Sequence, residues 1–267
     1  MTEVVKLSSP QTHQFWEIPV LYEDQQLLAL NKPSGLLVSP DRYDPARPNL
    51  MKLLHRDIER AAPWAKARGL NYLMNAHRLD FETTGVILLV KNKTALVSLA
   101  NQFGSEKARK TYLALVRGSA PEDQFETQAK LAPHPLQTGR MRVVVKAGKH
   151  SRTQFRVRER FQGYLLLECR PLTGRTHQIR VHLRHLRLPI VGDALYGGPC
   201  LLLSTLKPDY RQKPSQPERP LMDRVALHAQ ELAITHPATA AETTITAPWP
   251  KDLTVAVKYL RRFAGAQ

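Results

Sequence analysis

Three strand-like runs near the middle of the chain are separated only by short turns. They cover residues 142–146, 151–160 and 164–170, and the turns between them are Ala147-Gly148-Lys149 and Gln162-Gly163. Connections this short join antiparallel strands, whereas parallel strands need a crossover of a dozen or more residues. The three runs therefore predict an antiparallel meander, and this segment constrains the fold more than any other.

The other elements are scattered around this meander rather than alternating strictly as strand and helix. Apolar spacing predicts helices over 49–60, with Asn49 as the N-cap, over 94–103, from 176 to Pro189, and over 253–260. Strands are predicted over 27–30, 86–90, 112–116 and 227–234. We expect an α+β fold with a mixed, largely antiparallel sheet flanked by helices and loops.

Positive charge is concentrated in one part of the chain. The formal net charge is +16, and residues 140–190 contain thirteen of the 39 Lys and Arg but only two of the 23 acidic residues. Such a cluster is typical of a polyanion-binding surface, since each phosphate contact releases condensed counterions. An anionic membrane surface is the competing interpretation, but the segment lacks a basic helix with aromatic residues on its opposite face. The charge therefore favours nucleic acid, without distinguishing DNA from RNA.

Metal and nucleotide sites find little support in the sequence. The two cysteines, Cys169 and Cys200, do not form a CxxC pair. His177, His182 and His185 have no cysteine or carboxylate nearby, so we expect solvated or phosphate-facing histidines rather than metal ligands. Neither a GxGxxG nor a GxxxxGK[ST] loop occurs. We predict no metal and no organic cofactor.

Membrane association is also not expected. The longest apolar stretch, residues 86–90, is far shorter than the roughly 18 residues that a spanning helix needs. The N-terminal residues lack the layout of a secretory signal. The sequence therefore predicts a cytoplasmic protein.

One carboxylate, that of Asp80, is a candidate nucleophile or general base. Asp80 lies in a loop that leads into the apolar strand 86–90, and it follows His77 and Arg78. Neighbouring positive charge favours the ionised carboxylate, which is the form that a nucleophile or general base needs. A turn-capping role is equally compatible with this position, and Glu82 is the alternative catalytic carboxylate.

Five ordered motifs give the chain a resemblance to a known family. His77-Arg78-Leu79-Asp80 followed by Thr83-Thr84-Gly85 resembles the HRLDxxTSG motif of the RluA-type pseudouridine synthases, with Thr84 where Ser is usual. The other four also resemble motifs of that family, and in chain order they are Asn31-Lys32-Pro33-Ser34-Gly35, Lys110-Thr111-Tyr112-Leu113-Ala114, Gly174-Arg175-Thr176-His177-Gln178-Ile179-Arg180-Val181-His182 with Gly192-Asp193 behind it, and Leu227-His228-Ala229. The matches extend from about residue 21 to about residue 260.

The resemblance implies an isomerase that converts a specific uridine of structured ribosomal or transfer RNA to pseudouridine after flipping it out of its stack. Asp80 would be the nucleophile, and Arg180 would pair with it. Tyr112 would lie against the uracil ring, and Leu227 would form part of the apolar pocket under it. Arg78 would fill the space of the flipped nucleotide or hold its phosphate. The alternative is a non-catalytic RNA-binding or ribosome-assembly protein on the same fold.

The resemblance also implies the domain organisation. Residues 1–20 would be an N-terminal extension, and residues 21–263 a single catalytic domain with a Pro-rich insertion at 198–222. The stretch before the first motif is too short for the S4-type RNA-binding domain that many relatives carry. We therefore expect a monomer that holds RNA with its catalytic domain.

Strand alternation predicts where RNA binds. Side chains two residues apart share one face of a strand, so basic residues would share one face while Val143, Val145, Phe155 and Val157 point to the core. The expected phosphate contacts are Arg142, Lys146, Arg152, Arg156, Arg158 and, on the following helix, Arg184. We expect a basic groove leading to Asp80, which contacts phosphates more than base edges.

Overall fold

The computed structural model describes residues 3–41, 44–212 and 216–265. Its strands are β1 (Val4–Ser9), β2 (Gln14–Glu23), β3 (Leu27–Lys32), β4 (Met74–Asn75), β5 (Thr84–Val90), β6 (Arg109–Arg117), β7 (Gln124–Pro133), β8 (Met141–Val144), β9 (Lys149–Phe161), β10 (Tyr164–Pro171), β11 (Leu227–Thr235) and β12 (Glu242–Thr246). Its helices are α1 (Leu50–Glu59), α2 (Pro63–Lys66), α3 (Lys93–Gly104), α4 (Gln178–His185), α5 (Lys251–Phe263) and a short 3₁₀-helix, Ala194–Tyr196.

The chain divides into two compact units. The first comprises Met1–Arg109 and Ala229–Pro248, and the second comprises Lys110–His228 and Trp249–Gln267. The expectation of one catalytic domain over 21–263 stays a prediction.

Most of the strand pairs of the first unit are antiparallel. Its strand order is β1-β2-β3-β5-β11, with β4 beside β5 and β12 beside β11. All seven residues of β5 are buried, because the strand lies inside the sheet and its side chains pack with those of β3, α3 and β11. Residues 1–20, expected as an extension, contain β1 and part of β2, and β2 pairs onward with β3.

The helices of the first unit begin where local capping allows. The Asn49 side chain accepts a hydrogen bond from the Lys52 N–H at 2.9 Å, which confirms it as the N-cap of α1. Asn92 caps α3 in the same way through the Ala95 N–H. In both cases a side-chain oxygen satisfies one of the N–H groups that the first helical turn leaves unpaired.

The second unit has the strand order β6-β10-β9-β7-β8, and each neighbouring pair is antiparallel. Its core combines buried side chains of β6 and β10 with Ile179 and Leu183 of α4 and with the apolar face of α5. Helices and loops thus flank a sheet whose ladders are largely antiparallel. The predicted α+β class is confirmed.

One of the two pairings in the predicted meander is confirmed, since β9 and β10 are antiparallel neighbours, and the other, between β8 and β9, is wrong. β8 pairs with β7, and β7 also pairs with β9, so β7 lies between the two strands that were expected to be neighbours. Polar and apolar residues are equally frequent in β7, and this strand was not predicted from the sequence. Val145 follows the end of β8 and is 89% exposed, so its expected core position is also wrong. Phe155 of β9 is buried as expected.

The Pro-rich segment 198–222 is tied to the second core at both ends. Leu201 and Met222 form an isolated antiparallel bridge, and both are buried together with Leu206. The segment therefore contributes apolar side chains to the unit. Its residues 213–215 lie outside the described part of the chain.

None of the helices in the described ranges is long and apolar enough to cross a membrane.

Gly85 at the start of β5 has a backbone that only glycine fits. Its φ is +109°, and a Cβ placed there would lie 2.1 Å from the Ala229 carbonyl oxygen. We expect Gly85→Ala to lower the free energy of unfolding by about 3 kcal/mol or more, from backbone strain and steric overlap together. Urea unfolding followed by circular dichroism measures this.

Gly104→Ala is the matched control, because no atom lies within 4 Å of a Cβ at that position. Alanine at this last residue of α3 should leave stability unchanged or raise it by up to about 1 kcal/mol. Equal effects of the two substitutions would contradict the steric argument.

Candidate active site

Asp80 lies in a loop of the first unit that is held on both sides. Leu79 before it is 5% exposed. After it, the Phe81 carbonyl accepts a hydrogen bond from the Gly35 N–H at 3.0 Å, and the Arg47 guanidinium lies 3.9 Å above the Phe81 ring. Asp80 itself is half-buried. A carboxylate on a loop fixed in this way has a defined position, as a nucleophile requires.

Lys32 connects this loop to the turn after β3. Its side chain is fully buried, and its Nζ donates to the carbonyl oxygens of Pro33, Leu36 and Phe81 at 2.8, 2.6 and 3.1 Å. An ammonium group has three hydrogens, and each finds a backbone acceptor here. Lys32 therefore fixes the two loops relative to each other. Lys32 stands in the Asn31-Lys32-Pro33-Ser34-Gly35 motif, and no role was predicted for it from the sequence.

Arg78 and His77 precede Asp80 but differ in their surroundings. The Arg78 side chain is exposed. His77 is part of the loop's attachment to β5, since its Nε2 accepts the Leu88 N–H at 3.1 Å. Its Nε2 therefore carries no hydrogen in this bond, and the ring hydrogen is on Nδ1. Of the two residues, Arg78 alone is positioned to meet a ligand from solvent.

Arg180 on α4 forms a bidentate ion pair in the second unit. Its Nε and Nη2 donate to the two Asp193 carboxylate oxygens at 2.7 and 2.8 Å, and both side chains are buried. Asp193 also accepts the Tyr196 N–H at 3.3 Å. Tyr196 lies beside the guanidinium, with its ring centre 5.1 Å from the Arg180 Cζ. The expected pairing of Arg180 with Asp80 stays a prediction.

Tyr112 and Leu227 also belong to the second unit. Tyr112 lies on β6 opposite Cys169 of β10, and its half-buried side chain packs against the core. Lys110 is two residues earlier on the same face of β6, and its Nζ donates to the Thr173 carbonyl at 3.3 Å. Leu227, at the start of β11, is 3% exposed.

His182 is buried rather than solvated, which corrects the expectation from sequence. Its Nε2 lies 2.8 Å from the Ser151 hydroxyl, and its Nδ1 lies 2.9 Å from the Thr153 hydroxyl. The Ser151 hydroxyl donates to Ala129 O, so His182 Nε2–H is the donor and Nδ1 the acceptor. Burial lowers the pKa of His182 to about 4, and the neutral ring satisfies both hydrogen bonds.

Gln178 extends this network to the N-terminal end of α4. Its side-chain nitrogen donates to the Thr153 hydroxyl and to Arg152 O, and its oxygen accepts from the Thr173 hydroxyl and from the Arg175 N–H. The network attaches α4 to β9 and orients the residues that follow, including Arg180. Over 3–41, 44–212 and 216–265, no group of three His, Cys, Asp or Glu residues is arranged to hold a metal ion.

The residues expected to bind RNA are exposed, but several already have acidic partners. Arg152 pairs with Glu126 at 2.8 Å, and Arg158 pairs with Glu168 at 2.9 Å. Arg156 lies between them on the same face of β9 and has no ion pair with any described carboxylate. The three remaining residues of the set are also exposed, namely Arg142, Lys146 and Arg184.

A family model described as RNA pseudouridylate synthase matches residues 26–185. This range is more than half of the chain, and it contains Lys32, Asp80, Tyr112 and Arg180. The chain belongs to the RNA pseudouridylate synthase family. The resemblance stated from its motifs is thereby confirmed, and so is the predicted enzyme class, an isomerase.

Several bacterial relatives of this synthase are similar over most of its length. The ribosomal large subunit pseudouridine synthase D of Xylella fastidiosa is 39% identical over 252 residues, which cover 91% of this chain and 70% of the relative. The ribosomal large subunit pseudouridine synthase C of Escherichia coli is 36% identical over 243 residues, covering 91% and 70%.

Two solved human structures share the synthase fold. RNA pseudouridylate synthase domain containing 1 has a TM-score of 0.62 at 25% identity and covers 87% of this chain and 84% of its own. RNA pseudouridylate synthase domain containing 4 has a TM-score of 0.67 at 23% identity, with 91% and 92% coverage.

The sequence did not indicate which residues hold Arg180 and its helix in place. Asp193, Tyr196 and Gln178 hold Arg180 and its helix, but none of them was assigned a role. Asp193 and Gln178 stand within motifs that the chain shares with the family, and this was the one indication in the sequence that they matter. Arg180 and Asp193 are 13 residues apart, and Gln178 and Thr153 are 25 apart. Residues at such separations follow no helix or strand period, so the sequence pattern does not indicate that they are hydrogen-bonded.

The low pKa of His182 makes the synthase's stability depend on pH. The unfolded chain binds a proton at the ordinary histidine pKa of about 6.5, whereas the folded protein binds it only near 4. The unfolded state therefore holds more protons in this window, and stability is lost as the pH falls through it. We expect His182 to account for a loss of about 2 to 3 kcal/mol between pH 7.5 and pH 4.5.

Urea unfolding at both pH values tests this, with His182→Gln compared with the parent protein. The variant should be less stable at pH 7.5 but should lose less stability on acidification. His185→Gln, at an exposed site on the same helix, should keep most of the parent's pH dependence. Parallel pH curves for the parent and His182→Gln would refute the role of His182.

Proposed function

We propose that this enzyme converts a specific uridine in structured RNA to pseudouridine, with Asp80 as the nucleophile. The observation that carries the proposal is Asp80 itself, in the family's HRLD motif and on a loop fixed by Leu79, Phe81 and Lys32. Relatives named as ribosomal large subunit pseudouridine synthases support ribosomal RNA as the substrate. The cytoplasmic location and the monomeric state stay predictions.

The reaction rearranges one bond within the nucleotide. The N1–C1′ glycosidic bond breaks, uracil rotates, and a C5–C1′ bond forms. A proton leaves C5 and another is bound at N1, so the composition of the RNA does not change. Asp80 begins this sequence by attack on C1′ or on the base. A stacked uridine is out of reach of such a group, so the nucleotide must first be flipped out.

The other site residues bind and orient the nucleotide in this proposal. Tyr112 offers a flat aromatic face against the uracil ring, and Leu227 contributes apolar surface below it. In this proposal Arg180 pairs with Asp80 when the nucleotide binds, and Asp193 orients its guanidinium. Arg78, which is exposed, takes the place of the flipped nucleotide or holds its phosphate.

Phosphate contacts are assigned to the exposed basic residues named from sequence. Among those on β9, Arg156 should contribute most, since Arg152 and Arg158 must be shared with Glu126 and Glu168. Arg142, Lys146 and Arg184 complete the set. Recognition through RNA shape and phosphates suits such a surface, because side chains cannot enter the deep groove of an RNA helix.

The role of Asp80 is tested by Asp80→Asn, which keeps the size of the side chain and removes its charge. We expect kcat to fall by about 1,000-fold or more, while RNA affinity and thermal stability are retained. Release of tritium from RNA labelled at uridine C5 measures turnover, and filter binding measures affinity.

Glu82→Gln is the matched control, since Glu82 is the other carboxylate in the same loop. Its turnover should stay within about tenfold of the parent's. Activity of Asp80→Asn within tenfold of the parent would move the nucleophile to Glu82 or elsewhere.

Arg180→Lys tests whether a planar fork is needed at that position. Lysine retains the charge but cannot bond both Asp193 oxygens in the bidentate geometry. We expect kcat to fall by about tenfold or more, with a smaller change in KM. Arg184→Lys is the control, at an exposed position of the same helix. It should raise KM and leave kcat nearly unchanged. Thermal denaturation confirms that each variant is folded at the assay temperature. Equal KM effects from both, with kcat retained, would refute a role for Arg180 in the chemical step.

A further inference from the structure

The second unit contains a groove of about 870 Å³ whose lining is strongly basic. It is formed by the end of β6, by β8 with the loop before it, by the C-terminal half of α4 and by the 3₁₀-helix. Its charged and titratable lining residues are Arg117, His134, Arg140, Arg142, Arg184, His185 and Arg187. No aspartate or glutamate is among the lining residues.

Tyr196 gives this arginine groove a defined floor. Its ring is 2% exposed and packs with Val181 of α4 and Met141 of β8. Its hydroxyl accepts the Met141 N–H at 2.9 Å and lies 2.9 Å from His177 Nδ1. Because one buried side chain contacts both walls, the distance between α4 and β8 is fixed by packing rather than by loops. The groove is therefore a preformed site.

The five arginines of the groove are not neutralised by acidic side chains. None of them forms an ion pair with a carboxylate in the ranges 3–41, 44–212 and 216–265. Two of the three arginines on the exposed face of β9 differ, since Arg152 and Arg158 are paired with Glu126 and Glu168. A phosphate bound by Arg152 or Arg158 must compete with those carboxylates, which leaves Arg156 as the one of the three without an ion pair to a described carboxylate. A phosphate in the arginine groove meets no such competition, so its Coulombic gain is larger there.

Helix electrostatics alone does not account for this cluster. The C-terminal end of α4 carries a partial negative charge that favours cations, and this explains Arg184 and His185 in its last turn. It does not explain Arg117 at the end of β6, Arg140 in the loop before β8, or Arg142 on β8. Basic residues from four separate elements line the same groove. Their positive charges repel one another, which is unfavourable in the free protein. A polyanionic ligand removes that repulsion.

We propose that the arginine groove binds the phosphate backbone of the RNA substrate and supplies more of the RNA affinity than the β9 face does. This inference rests on the proposed function for the identity of the polyanion. The groove is close to the catalytic machinery of its own unit through Tyr196, whose ring contacts Arg180 as well as Arg140. Its ligand is an RNA backbone recognised by charge and shape.

Two double variants test the proposal, Arg117→Gln/Arg142→Gln and Arg184→Gln/Arg187→Gln. All four side chains are exposed, so folding should be retained, and thermal denaturation checks this. The probe is a transcript of bacterial large-subunit ribosomal RNA, and its affinity is measured by filter binding over a series of salt concentrations. We expect each double variant to bind about 10- to 100-fold more weakly at low salt, and the slope of log K against log salt to fall by about two units.

The control is Arg109→Gln/Arg261→Gln, which removes the same charge. Both arginines are exposed and paired with glutamates, Arg109 with Glu242 at 2.7 Å and Arg261 with Glu159 at 2.8 Å. Arg156→Gln reports on the β9 face. Groove variants that bind as the control does, with an unchanged salt slope, would overturn the proposal. A larger effect of Arg156→Gln than of either groove variant would overturn the ranking of the two surfaces.

Turnover measured on the parent protein separates this inference from the proposed function. If tritium is released from C5-labelled uridine RNA while the groove variants bind normally, the groove proposal fails and the proposed function stands. If no tritium is released from any RNA, the proposed function fails, and the salt slopes still decide whether the groove binds RNA.

Discussion

Arg180 and Asp193 form an ion pair inside the second unit, and this pair holds Tyr196, the floor of the arginine groove. Both side chains are buried, so removing one partner would leave an unpaired charge, at a cost of about 3–5 kcal/mol. Asp193 also accepts the Tyr196 N–H, and Tyr196 bonds to β8 and lies beside Arg180. One bidentate contact therefore orients a proposed site residue and the floor of the groove together.

A second buried cation has a comparable part in the first unit. Lys32 satisfies three backbone carbonyls in two loops, and one of those loops carries Asp80. In both units, a charged group inside the protein fixes a segment that has no regular secondary structure. Burying a charge is costly unless all its hydrogen bonds are made, and for this reason such a contact specifies one loop conformation over its alternatives.

Helices and strands whose caps or apolar patterns can be read from neighbouring residues were predicted correctly. Asn49 and the apolar spacing after it located α1, and the continuous apolar run 86–90 located β5. β7, in which only half of the residues are apolar, was not predicted, and the predicted pairing of β8 was wrong as a result. Strand pairing depends on which partner buries each face, and residues near in sequence do not specify this. The prediction that His182 is solvated was wrong for a related reason. Its burial depends on contacts with Ser151 and Thr153 of β9, which are distant in the chain.

The sequence by itself determined the family, the α+β class, the basic character of residues 140–190 and Asp80 as the candidate nucleophile. Motifs, periodicity and charge are properties of residue order, so they can be read without coordinates. Only the tertiary structure decided which arginines are neutralised by carboxylates, which are left facing the groove, and which partners hold Lys32 and Arg180. These depend on contacts between residues distant in the chain, because a hydrogen bond or an ion pair is set by separation in space.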